Sequence, residues 1–126
     1  MNKFLKCKKG GKIFLMVTET EGCCAHEEGG EQPFEHVKAL MNDGAVEKHV
    51  PVYEIEKNVL HVKVGDVAHP MAEDHFIEWI YVVTEKGESI VHLKPGMEPK
   101  ADFALLEGEK VLEVYAYCNK HGLWKK

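Results

Sequence analysis

From Val50 onward the chain alternates between apolar and polar positions. Tyr53 and Ile55 alternate with Glu54 and Glu56, and Leu60, Val62 and Val64 alternate with His61 and Lys63. A side-chain period of two marks a strand with one face buried and the other in water. Lys57-Asn58, between these two runs, predicts a hairpin turn. Phe76 to Val83 (FIEWIYVV) is apolar on both faces and predicts a central strand. Three further strands are predicted over Glu88 to Leu93, Ala101 to Leu106 and Val111 to Tyr117. The turn-forming runs Glu85-Lys86-Gly87, Lys94-Pro95-Gly96 and Glu107-Gly108-Glu109 separate them. Six or seven short strands punctuated in this way predict an all-β sandwich.

Residues 1–42 have a different texture. This stretch holds Cys7, Cys23 and Cys24, three of the four cysteines, and a Gly/Glu-rich run, GCCAHEEGGEQP, that reads as loop. Phe34 to Met41 reads as a short helix, and MNDGA as a turn into a new unit. The expectation is therefore a small irregular N-terminal domain over 1–42 and a β domain over 43–126.

Composition narrows the function classes. A formal net charge of -5 disfavours nucleic-acid binding, which calls for a basic face. No apolar run approaches the roughly 20 residues of a membrane helix. The opening MNKFLKCKKGGKIFLMV lacks the layout of a signal peptide, so a cytoplasmic protein is expected. In that compartment cysteines serve metal or redox chemistry more often than disulfide frameworks.

The eight histidines are not spread evenly in meaning. His61 shares the polar face of its strand with Lys63, and His92 sits in a strand without a ligand motif. His26 and His36 fall in the N-terminal part, where they are structural or solvent-facing. The others lie at strand edges or in adjoining loops, within EKHVP, AHPM, DHFIEW and CNKHG. A rigid sandwich presents metal ligands from such places. Pro70 keeps the backbone of His69 extended, and Cys118 with His121 forms a C-x-x-H pair able to chelate through a tight turn.

Taken in order, EKHVPV, KVGDVAHPM, HFIEWI, LKPG and YCNKHGLW resemble the superoxide reductase family, specifically the iron domain of desulfoferrodoxins and neelaredoxins. The resemblance spans about residues 44–126. It implies an immunoglobulin-like sandwich with one mononuclear Fe2+/Fe3+ centre. By motif position, His49, His69, His75 and His121 would be equatorial ligands and Cys118 the axial thiolate, with a sixth position open. Imidazole suits iron, and a soft thiolate tunes the electronics opposite the open site. Lys48 would attract and stabilise the anionic substrate, and Glu47 would approach the open position in the ferric state. The implied reaction is one-electron reduction of superoxide to hydrogen peroxide. The implied partners are a rubredoxin-like electron donor and further copies of the chain, as a dimer or tetramer.

The chain departs from the family pattern at its start. Desulfoferrodoxins often carry a second iron on a C-x-x-C pair and a later Cys-Cys pair. Cys7, Cys23 and Cys24 match three of these positions, but Gly10 stands at the fourth. Three thiolates do not complete a tetrahedral four-thiolate site, so this second centre is expected to be absent from a degenerate desulforedoxin-like domain. The remaining thiols would then be relics, pair with one another, or hold a different metal with His26. Two competing functions stand beside the reductase: a 2-His-1-carboxylate oxygenase, and a non-catalytic iron-binding electron-transfer module. The five-ligand motif set leaves one open position, which disfavours binding both a substrate and oxygen. Lys48 beside that open position disfavours the non-catalytic module.

Overall fold

The computed structural model describes residues 3–17, 33–41 and 46–126, with residues 46 and 47 by their backbone alone. It divides into two compact units, Met1–Lys38 and Ala39–Lys126.

Within the described residues the first unit contains a three-stranded antiparallel sheet of β1 (Phe4–Cys7), β2 (Ile13–Leu15) and β3 (Phe34–His36), in the order β2-β1-β3. The short helix expected over Phe34 to Met41 is therefore corrected. Phe34, Glu35 and His36 pair with Cys7, Lys6 and Leu5. The apolar spacing of this segment suits a helix, but pairing with a distant strand satisfies its backbone instead. Among the described residues of this unit, Phe4–Cys7, Ile13–Leu15 and Phe34–His36 are strands.

The second unit begins at Ala39, with Leu40 bridged to Trp124, and contains a single helical turn, α1 (Val46–His49), followed by seven strands. These are β4 (Pro51–Glu56), β5 (Val59–Val64), β6 (Ile77–Thr84), β7 (Gly87–His92), β8 (Lys100–Ala104), β9 (Val111–Cys118) and β10 (Gly122–Lys125). They form two antiparallel sheets, one in the order β10-β9-β6-β7 and the other β4-β5-β8. The all-β sandwich read from the alternation is the observed architecture, with β10 as an unforeseen strand. Lys57 and Asn58 both have positive φ, 49° and 63°. This is the left-handed pair that a tight two-residue hairpin requires.

The core comes from the strands' inward positions. Leu60, Val62 and Val64 of β5 and Ala101 and Phe103 of β8 cluster with Ile77, Ile80 and Val82 of β6 and Val114, Ala116 and Cys118 of β9. In β6 the inward residues Ile77 and Ile80 are three apart, because the register with β9 shifts between Ile77 and Trp79. That irregularity is a bulge of the kind often found beside functional sites. It aligns Ile77 with Cys118 and leaves both fully buried. Trp79 and Tyr81 occupy the other face of β6, which explains why its sequence reads as apolar on both sides. Trp79 stacks on Tyr117 at 5.2 Å between ring centroids.

Candidate metal centre

Five predicted ligands converge at one end of the sandwich. One donor atom from each of His49, His69, His75, Cys118 and His121 lies within 4.8 Å of all the others. His49 closes α1, just before β4. His69 and His75 lie in the connection from β5 to β6, Cys118 ends β9, and His121 sits in the turn into β10. Gly122 in that turn has φ 85°, a conformation that suits glycine and lets the chain reverse directly after His121.

The four imidazoles form a ring. Centroids of successive neighbours, His49 to His69, His69 to His75, His75 to His121 and His121 to His49, are 4.7, 4.8, 5.0 and 4.8 Å apart. The diagonal from His49 to His75 is 6.4 Å. Neighbouring planes cross at 73° to 85°. His49 Nε2 is 3.0 Å from His121 Nδ1, and Cys118 Sγ is 3.8 Å from that same Nδ1. Metal–nitrogen bonds of about 2 Å put neighbouring donors roughly 3 Å apart and opposite ones roughly 4 Å apart. The donor set fits one ion.

Two further observations support that fit. The buried Nε2 atoms of His69 and His75 have no hydrogen-bond partner, and an orphaned buried nitrogen is costly unless something outside the protein satisfies it. His69 Nδ1 is 2.7 Å from the carbonyl oxygen of Pro70. A carbonyl only accepts, so Nδ1 carries the proton and Nε2 offers its lone pair inward.

The site is also tuned against competing protons. Burial lowers the His69 imidazole, the Pro70 carbonyl partly opposes it, and His49, His75 and His121 lower it as well, to about 4 in all. Burial likewise lowers His75, with His121 and Lys120 adding to the effect. Burial raises the Cys118 thiol, while hydrogen bonds from the backbones of His121 and Lys120 pull the other way. Near neutrality His69 and His75 are bare donors, and a bound cation would have to displace the proton of Cys118.

The other predicted residues fall as follows. Lys48 is exposed in α1, next to His49. The backbone of Glu47 belongs to the same turn, and its side chain lies outside the described residues. His61 Nδ1 lies 2.7 Å from Asp102 Oδ1 on the polar face of its sheet, and His92 and His36 are exposed in β7 and β3. Cys7 is a free, half-buried thiol. A Cβ placed on Gly10 would sit 3.7 Å from its sulfur, so Gly10 faces that thiol across the turn. Cys23, Cys24 and His26 lie outside the described residues.

Sequence reasoning missed a residue that packs against the cluster. Trp124 of β10 stacks on His49, with centroids 4.7 Å apart and planes 23° apart, and donates from Nε1 to the His121 carbonyl at 3.2 Å. Its place two residues after Gly122 in the C-x-x-H motif segment was the available signal.

A two-sheet antiparallel sandwich bearing a four-histidine, one-cysteine cluster at one end defines a class of mononuclear metal-binding proteins. The desulfoferrodoxin family model matches residues 41–126, and the chain belongs to this family. It is 49% identical over 123 residues to the desulfoferrodoxin of Desulfarculus baarsii, covering 95% of this chain and 91% of that protein. It is 43% identical over 123 residues to a desulfoferrodoxin homolog of Archaeoglobus fulgidus, covering 95% and 92%. The crystal structure of the superoxide reductase from Treponema pallidum superposes with a TM-score of 0.76 at 34% identity, covering 98% of each chain. Among the described residues no helix is long and apolar enough to cross a membrane.

Proposed function

We propose that this chain is a superoxide reductase, an oxidoreductase that converts superoxide and two protons to hydrogen peroxide with one electron. The observation that carries this reading is the ring of four imidazoles with a buried thiol beside it, all five donors within 4.8 Å of one another. His49, His69, His75, His121 and Cys118 would hold one iron ion, which when bound supplies the transferred electron. The resemblance to the Treponema pallidum superoxide reductase supports the same activity.

The chain's own residues then have distinct tasks. Cys118 brings a soft, electron-rich donor out of the core, where packing fixes it. His121 is the exposed member of the ring and marks the side open to solvent. Lys48 places a compact positive charge beside His49 and draws a small anion toward a protein of net charge -5. Glu47 would approach the open position in the ferric state. The electron is restored by an external donor of the rubredoxin type, and the working form is a homo-oligomer in the cytoplasm. The N-terminal unit is read as lacking a four-thiolate iron, because Gly10 occupies the place facing Cys7.

The test is stoichiometric. Iron-loaded, reduced protein is mixed with a known pulse of superoxide in the presence of a reductant, and peroxide is counted. One peroxide per superoxide supports reduction. Half that yield indicates dismutation, and decay no faster than a protein-free control indicates a binding or electron-transfer role; either result would overturn the proposal.

A further inference from the structure

Each of three ring histidines is steadied by something different. His69 is fixed through its ring nitrogen by the Pro70 carbonyl, and His49 by the face of Trp124. For His75 the structure points to the backbone on either side of it. The Asn119 carboxamide reaches across from the Cys118–His121 turn, its Nδ2 donating to the Asp74 carbonyl at 3.0 Å. The Phe76 backbone N–H donates to Asn119 Oδ1, also at 3.0 Å. The Asn119 backbone N–H in turn donates to the Phe76 carbonyl at 3.2 Å. The residues before and after His75 are thus both tied to the residue that follows Cys118. An ion pair between Lys120 Nζ and Asp74 Oδ2 at 3.8 Å lies alongside.

The chemistry of these contacts dictates the residue type. Asp74 offers a carbonyl, which only accepts, and Phe76 offers an N–H, which only donates. A carboxamide satisfies both in one orientation. A carboxylate would set oxygen against oxygen at Asp74, and an aliphatic side chain of the same shape would leave both groups to water. Asn119 is exposed, yet both ends of its carboxamide are spent on this loop.

We propose that Asn119 is a positioning residue of the metal centre: by bracketing His75 it sets the distance between that ring and the Cys118–His121 pair. The proposal rests on the reading of the five residues as metal ligands. Groups that orient ligands from outside the metal's own shell commonly change metal affinity 10- to 100-fold when removed, on the order of what is expected here.

The experiment compares the full-length parent with Asn119→Leu, which keeps the shape without the bonds, and Asn119→Ala, which removes bulk that could misfit. Fe2+ affinity is measured by chelator competition, the ferric site by electron paramagnetic resonance, and the metal-free chain by its thermal midpoint. The expected result is iron binding weakened about tenfold in both variants, with the single ferric signal of the parent split into a mixture. The metal-free midpoints should stay close to that of the parent. Parent-like affinity and spectra in either variant overturn the assignment. So does a fall in the metal-free midpoint with unchanged affinity, which would make Asn119 an ordinary turn residue. A parent that takes up no iron overturns the metal-centre reading itself, and this inference with it.

Discussion

Trp124 lies against the face of His49, with ring centroids 4.7 Å apart and planes 23° from parallel. The same indole donates to the carbonyl of His121. One buried side chain therefore braces two members of the histidine ring, 72 positions apart in sequence. Trp124→Leu should cost about 3 kcal/mol of stability and lower metal affinity with it. Trp124→Phe keeps a ring against His49 but loses the donor, and should cost roughly 1–2 kcal/mol. Denaturant midpoints of the metal-free and metal-loaded variants check this ordering. Equal losses in the two variants would remove the stacking argument.

Metal binding should release a proton from Cys118. Burial holds this thiol above its ordinary range, while His69 and His75 are pushed below theirs. Between those limits His69 and His75 do not compete for protons and the thiol does. Affinity should therefore rise about tenfold per pH unit through neutrality and level off above the raised thiol value. Titration in weak buffer should show about one proton released per ion bound. In Cys118→Ala both the release and the slope should vanish, along with the visible thiolate-to-ferric band of the oxidised protein.

Lys48 is expected to act on encounter rather than on folding. Lys48→Ala should lower the bimolecular rate constant with superoxide about tenfold, and Lys48→Glu further, with stability changed by less than about 0.5 kcal/mol. The rate of the parent should fall as salt is added, and that of Lys48→Ala should fall less steeply. Pulse radiolysis at several ionic strengths separates the two. A salt dependence identical to the parent's would exclude steering by this charge.

Tyr81 and Tyr115 make the fold sensitive to alkali. Both phenols are raised by burial and by donating to carboxylates, Tyr81 to Glu88 and Tyr115 to Glu113. A group raised in the folded state contributes stability that is complete below its unfolded value. That stability is lost as pH climbs from there through the folded value. Thermal midpoints should hold up to about pH 10 and fall above it. Tyr81→Phe should flatten that fall. In Tyr81→Phe and Tyr115→Phe, an alkaline fall identical to the parent's would contradict the assignment.

Much of the sandwich was legible because its signal is local. Leu60, Val62 and Val64 point inward on a strict period of two, and β4 to β9 lie close to where alternation and turns place them. Four-residue elements such as α1 and β10 are too short to show a period. The segment from Phe34 carries helix-like apolar spacing and becomes a strand only because β1 pairs with it. The five residues that converge were legible as a set of motifs. Their supports were not, since Asn119 and Trp124 are ordinary residue types until the fold shows what they touch.

The donors of His49 and His121 stand 3.0 Å apart across 72 positions of chain. An ion held there would join the first turn of the β domain to its last hairpin, as a removable crosslink. Because it would bind the folded domain and not the opened one, the loaded chain should part those two ends less often than the metal-free chain.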